Sequence, residues 1–203
     1  MARATRRISP SRHRDQARHE VEVLEAALGL FSTRGFGSTT IAEVAAASGF
    51  SVATLYNLFG SKEAILERIL ASNLDASAES IALAVDGATT PRDKLEASVM
   101  ARARFCAEHR PFFALYAESY FSLPPERSDR VPPRMTRAVQ AEVERLESIF
   151  REIPHGKLDA GVRALAFYGA TRAFLVERIL RAEKPVRPAQ ITALVAALLD
   201  GLA

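Results

Sequence analysis

The sequence predicts an all-α protein of about nine helices, in which an N-terminal three-helix unit with a helix-turn-helix precedes a larger helical domain. Three observations predict it. Apolar residues recur three and four apart along most of the 203-residue chain, and nothing alternates as a half-buried strand does. Cap residues stand just ahead of the periodic stretches: Thr40 with Glu43, Ser51, Ser61, Thr90 with Asp93, and Asp159. Hydrophobic residues make up 48% of the chain, enough for a real core, which excludes a disordered protein.

The first helix runs from about Asp15 to Arg34, where Ala17, Val21, Leu24, Leu28 and Phe31 line one face and Gly35 closes it. Thr40 and Glu43 form a capping box, so a short second helix begins at Ile41 and ends near Ser48, with Gly49 supplying a left-handed turn. Ser51 caps a third helix, Val52 to about Phe59, and Gly60 stops it. Val44, Leu55 and Phe59 complete the core of this unit. Two short helices joined by a brief turn containing Gly make a helix-turn-helix, whose second helix enters the major groove, although plain αα-hairpins share the shape.

The fourth helix opens at Ser61 and carries Ile65, Leu66, Ile69, Leu70, Leu74, Ile81 and Val85 along one amphipathic pattern. Its length suits it to carry a rotation from one domain to the other. Thr90 caps a fifth helix with Pro91 at its first position, and His109-Arg110-Pro111 kinks or ends it. An aromatic sixth helix follows, then a proline-rich loop from Leu123 to Pro133. The seventh runs from about Arg134 to Ile153 and stops at Pro154 and Gly156. Asp159 caps an eighth, through about Ala182, and Pro185 with Pro188 isolates a ninth from about Ala189 to Leu202.

The last two helices leave two readings open. Ala166, Gly169, Ala170 and Ala173 on the eighth, with Leu194, Val195 and Leu198 on the ninth, are either plain core or a four-helix contact with a second copy. The helix-turn-helix favours the second, because a two-fold homodimer places two recognition helices about 34 to 36 Å apart on a palindrome.

Composition removes other classes. With 27 basic and 24 acidic residues the net charge is only +3. Its distribution is uneven, since Arg3, Arg6, Arg7, Arg12 and Arg14 all precede the first acid, Asp15. Such an arm is either a solvated tail or a partner for polyphosphate. Cys106 is the only cysteine, so no internal disulfide forms and a reducing compartment fits. No apolar run approaches the roughly 18 residues of a membrane span, so a cytoplasmic protein without a membrane partner is expected. His13, His19, His109 and His155 are scattered, no Gly-rich phosphate loop occurs, and Cys106, Glu108 and His109 make too short a cluster for a catalytic or metal site. No enzyme activity, metal or cofactor is expected.

The residues Ala26-Ala27, Leu30-Phe31, Gly35-Phe36, Thr39-Thr40, Val44-Ala45, Gly49, Ser51, Thr54-Leu55-Tyr56, Phe59 and Ser61-Lys62-Glu63 together resemble the DNA-binding domain of the TetR family of bacterial transcription regulators. The resemblance spans about Asp15 to Leu66; beyond Leu70 only the helical layout is similar. It implies a basic arm over 1–14, a DNA-binding domain over 15–60 and an effector-binding and dimerisation domain over 61–203. It also implies that Thr40, Tyr56 and Lys62 meet phosphates, Tyr56 having the alternative of a core aromatic. Ser51 at the same edge is foremost a cap. Val52 and Ala53 stand where base-reading side chains sit and have no hydrogen-bonding group, Ala42 replaces an Arg that some relatives carry, and Leu58 replaces a frequent polar residue. Direct readout then falls on Thr54 and Asn57, and only Asn57 has the bidentate geometry for adenine.

For the larger domain the resemblance implies a small-molecule pocket with an apolar, aromatic wall drawn from Met100, Phe105, Phe113, Tyr116, Tyr120, Phe167, Tyr168 and Phe174. Arg102, His109 and Glu177 are candidate polar anchors. The expected function is a repressor that binds double-stranded DNA at a palindromic operator and is released by a small apolar or aromatic effector. The alternative is an architectural DNA-binding dimer that recruits a protein partner and needs no effector.

With so few base-reading groups, the arm residues Arg6, Arg7, Arg12 and Arg14 should contribute more than usual to DNA binding. Removing the residues before Asp15 should cost affinity and flatten the salt dependence of binding. A salt titration in which the shortened protein keeps the full-length slope would count against this role for the arm.

Overall fold

The computed structural model describes residues 10–121, 132–153 and 158–201, with side chains described from Asp15 onward and not for 118–121. Among the described residues there are nine α-helices and no strand. No helix there is long and apolar enough to cross a membrane. The chain divides into two compact units, Met1–Ile69 and Leu70–Ala203. The division falls nine residues later than the sequence suggests, because the first turns of the fourth helix pack with the first unit through Ile65 and Ile69.

The first unit holds α1 (Pro10–Arg34), α2 (Ile41–Ser48), α3 (Val52–Phe59) and the start of α4 (Lys62–Asp86). Helix α1 begins five residues earlier than the periodicity indicates. Pro10 stands at its first position, where a fixed φ is already helical and the missing N–H costs nothing. Arg12 and Arg14 therefore lie on helical backbone, with side chains outside the described set; Arg6 and Arg7 lie outside the described residues altogether. The expected arm over 1–14 therefore overlaps α1 from Pro10 onward, and a deletion that spares the described helix stops before Pro10.

The buried seam of α1 also differs from the expected stripe. Val23, Ala27 and Phe31, four apart, are sealed, whereas Ala17 and Val21 are exposed and Leu24 and Leu28 half-buried. A face of an α-helix is wide enough for two adjacent rows, and the inner row is the one packed on α2. Val44, Ala45 and Leu55 meet it, with Phe36 edge-on to Phe31 at 5.1 Å. Phe59 is only half-buried.

The second unit contains the rest of α4, then α5 (Pro91–Glu108), α6 (Arg110–Phe121), α7 (Pro133–Arg151), α8 (Ala160–Leu175) and α9 (Pro188–Gly201). Thr90 and Asp93 close the expected capping box on α5, and Asp159 caps α8 through the Val162 N–H at 2.9 Å. Helix α8 does not continue regularly to Ala182. Val176–Arg181 forms a π-helical segment, in which the Ala182 N–H reaches the Glu177 carbonyl five residues back. The core gathers Leu95, Val99, Leu146, Phe150, Phe167, Leu175, Ile191 and Val195, with α7 packed on α8 and α5 on α9. The loop expected from Leu123 to Pro133 lies almost wholly outside the described residues, as do Pro154, Gly156 and Leu202.

Candidate nucleic-acid interface and effector cavity

The eight residues of α3 divide cleanly by burial. Leu55 is sealed in the core, while Ala53, Tyr56 and Asn57, at i, i+3 and i+4, share the exposed face. Tyr56 is 51% exposed, so the phenol points outward rather than into the core. Val52 and Thr54 are half-buried. Ser51 Oγ accepts the Thr54 N–H at 3.1 Å and lies 2.8 Å from Thr54 Oγ1, which ties both hydroxyls into the cap. The outward hydrogen-bonding groups of this helix are thus the Tyr56 hydroxyl and the Asn57 amide.

Two residues expected at phosphates have other work in this structure. The Thr40 hydroxyl donates to Glu43 Oε2 at 2.9 Å while accepting the Glu43 N–H at 3.3 Å, and the Thr40 N–H donates to the same carboxylate at 2.8 Å. The Thr40 backbone and hydroxyl hydrogen bonds hold the Glu43 carboxyl below its ordinary pKa, with Arg34 and Lys62 adding to the effect. Lys62 turns inward. Its Nζ donates to the Phe36 carbonyl at 2.8 Å and the Thr39 carbonyl at 2.6 Å, and it sits 4.3 Å over the Phe36 ring. It fastens the start of α4 to the turn ahead of α2.

In the second unit, α4 to α8 enclose a cavity of about 400 Å³. Phe105, Phe112 and Phe113 form its apolar wall, and Tyr116 and Tyr168 face each other with their hydroxyl oxygens 3.3 Å apart. Of the residues expected to line a pocket, Phe105, Phe113, Tyr116 and Tyr168 lie on this cavity. Met100, Phe167 and Phe174 do not. Phe167 is fully buried against Phe150 at 5.6 Å, and Met100 and Phe174 pack on the same core. The Tyr120 side chain lies outside the described set.

Among the suggested anchors, Arg102 is in the cavity wall. His109 instead stacks on Phe105 at 4.1 Å, and Glu177 pairs with Arg181 at the surface. Sequence reasoning missed Arg172, Glu142 and three further arginines of α7: Arg134, Arg137 and Arg145. A signal for the inner ones existed. Arg172 follows Tyr168 by one turn on the buried face of α8, and Glu142 stands three residues before Arg145 and four before Leu146 on α7.

Arg102 donates to Glu142 Oε1 at 2.5 Å and lies 5.1 Å over the Tyr168 ring. Burial is the largest influence and works against its charge, but the Glu142 carboxylate, with Tyr168, Cys106 and the Glu142 hydrogen bond added, raises its pKa overall. Arg172 lies 5.0 Å over the Tyr116 ring. Burial, followed by the neighbouring Tyr168, pushes Tyr116 well above the ordinary phenol range, and burial pushes the Cys106 thiol up to about 12. Both stay protonated at neutral pH, so Cys106 is packing rather than a nucleophile.

The eighth helix presents a second surface. Val162, Leu165, Ala166, Gly169 and Ala173 are exposed on one stripe, with Leu165 at 61%, and a Cβ added at Gly169 would meet open space. Ala170, Leu194 and Leu198 are half-buried. Val195, expected at the same contact, is fully buried in the unit's own core beside Ile191.

Residues 23–69 match the family described as bacterial regulatory proteins, tetR family. The HTH-type transcriptional repressor KstR2 of Rhodococcus jostii is 29% identical over 160 residues, covering 79% of this chain and 73% of its own. The structure of PfmR, a TetR family transcriptional regulator from Thermus thermophilus, superposes with a TM-score of 0.71 at 25% identity, over 97% of this chain and 99% of that one. FadR of Bacillus subtilis, solved in complex with stearoyl-CoA, shares the fold with a TM-score of 0.74 at 16% identity, over 90% of this chain and 99% of its own.

The inward course of Lys62 is testable. Lys62→Met keeps the aliphatic stem and removes two charge-assisted hydrogen bonds, which should cost about 2 kcal/mol in urea unfolding. DNA affinity measured well below the unfolding midpoint should change by less than about threefold. A large loss of affinity with an unchanged midpoint would return Lys62 to the phosphates.

Proposed function

The chain belongs to the tetR family of bacterial regulatory proteins, and from that premise we propose that it represses transcription as a homodimer on a palindromic operator and is released when a small effector fills the cavity of its second unit. The observation that carries the DNA-binding reading is the exposed row Ala53, Tyr56 and Asn57 on a helix capped at both ends. In the major groove the Asn57 amide reads an adenine edge, the Ala53 methyl packs against a thymine methyl, and the Tyr56 hydroxyl donates to a backbone phosphate. The side chain of Thr40 supports this helix pair as a cap rather than as a contact.

Dimerisation uses the exposed stripe of α8, where Gly169 and its alanines allow a second helix to approach closely, with Leu194 and Leu198 of α9 at its margin. Repression follows from occupancy, since a dimer seated on a promoter blocks polymerase without an activating surface. Release requires an effector that binds the non-operator conformation better than the operator-bound one, and it acts only by that difference. The cavity is suited to such a ligand in size, in its aromatic wall and in its few buried polar groups. The relatives named as repressors, and the neighbour solved with stearoyl-CoA, support the same reading.

Two measurements test this. Asn57→Ala should weaken binding to the selected operator by about tenfold or more while leaving non-specific DNA binding within about twofold, in fluorescence anisotropy at fixed salt. Equal losses on both DNAs would deny Asn57 a reading role. Gly169→Glu should leave the helical circular dichroism unchanged and convert the dimer to a monomer in sedimentation equilibrium; a persistent dimer would move the interface elsewhere.

A further inference from the structure

The cavity is not simply oily. Five arginines line it, Arg102, Arg134, Arg137, Arg145 and Arg172, against two carboxylates, Asp75 and Glu142. Arg102 and Arg172 are buried, and the Arg102 and Glu142 side chains are only 10% and 11% exposed. Asp75 is engaged by Arg134 at 3.0 Å near the surface, so Glu142 is the one anion facing the inner end. Arg134, Arg137 and Arg145 are partly or largely open to solvent, but at the buried end Arg102 and Arg172 against Glu142 leave one cation in excess, which favours a ligand that brings negative charge.

Resting on the effector-cavity reading above, we propose that the effector is an amphipathic carboxylate whose head group displaces Glu142 from Arg102 while its apolar body lies along Phe105, Phe112 and Phe113. Glu142 occupies the position on Arg102 that the head group would take. Its Oε1 accepts from Arg102 at 2.5 Å, and its Oε2 is already 3.6 Å from Arg145, one turn along the same helix. On displacement Glu142 transfers to Arg145, so neither carboxylate is stranded without a cation. With the ligand carboxylate on Arg102 and Glu142 on Arg145, two anions meet cations that shared one before, so the charged head adds to the gain from burying the apolar body, whereas a neutral ligand gains that burial alone and leaves Glu142 on Arg102.

The exchange also loosens a link between helices. Arg102 belongs to α5 and Glu142 to α7, so the pair clasps the two across the cavity, and its replacement by a free ligand removes that clasp. Effector binding is then felt as a change in how α5 and α7 are held, beyond the filling of space.

The test uses the full chain with decanoate and neutral 1-decanol as matched probes, followed by calorimetry and by release of bound operator. Wild type should bind decanoate more tightly than decanol, and E142Q should bind decanoate about tenfold more tightly still, because no resident carboxylate competes, with decanol unchanged. Because E142Q leaves Arg102 without its anion and risks the fold, the double variant Arg102→Met with Glu142→Met provides the second arm. It removes both charges together and should keep decanol binding while losing the preference for decanoate. If decanol binds as well as decanoate and releases operator, the effector cavity stands and the anionic proposal falls. An unaltered decanoate affinity in E142Q overturns the displacement. If neither probe binds or releases DNA, the proposal falls, and the effector reading with it.

Discussion

Two helices of eight residues are too short to persist alone, so the DNA-reading unit depends on whatever pins them. Caps supply part of that and packing on α1 another part. The remaining fastening is Lys62, whose ammonium binds the carbonyls of Phe36 and Thr39 and covers the Phe36 ring. Those carbonyls belong to the turn that delivers α2, and Lys62 itself follows the stop of α3, so a single side chain closes the unit at both ends.

The division between what the sequence reveals and what it hides follows interaction range. Both capping boxes and the helix starts at Ile41, Val52 and Pro91 are legible because a cap and its partner lie three residues apart. Lys62 is 26 residues from Phe36, and nothing local distinguishes an inward lysine from one that meets phosphate. The same limit misplaces the seam of α1 by one row, since Leu24 and Leu28 are as apolar as Val23 and Ala27, and only the position of α2 decides between them. Nothing local marks the arginines of α7 for a cavity, yet three of them reach its wall. Among the aromatics, Phe105, Phe113, Tyr116 and Tyr168 lie on the cavity, whereas Phe167 looks identical in pattern and lies in the core.

Charge placement distinguishes the two working surfaces. On α3 the outward groups are few and neutral, a phenol, an amide and a methyl. In the cavity the polar groups are cationic and mostly paired, with aromatic faces under Arg102 and Arg172 that reduce the penalty of burying them.

Whether this chain reads DNA as a two-fold dimer through a sparse recognition helix is tested by selecting bound sequences from a random duplex pool with the purified 203-residue protein. The expected product is a palindrome with half-sites about one helical turn apart and a single strongly preferred adenine in each half, flanked by weakly specified positions. Recovery of unrelated sequences without two-fold symmetry would contradict it.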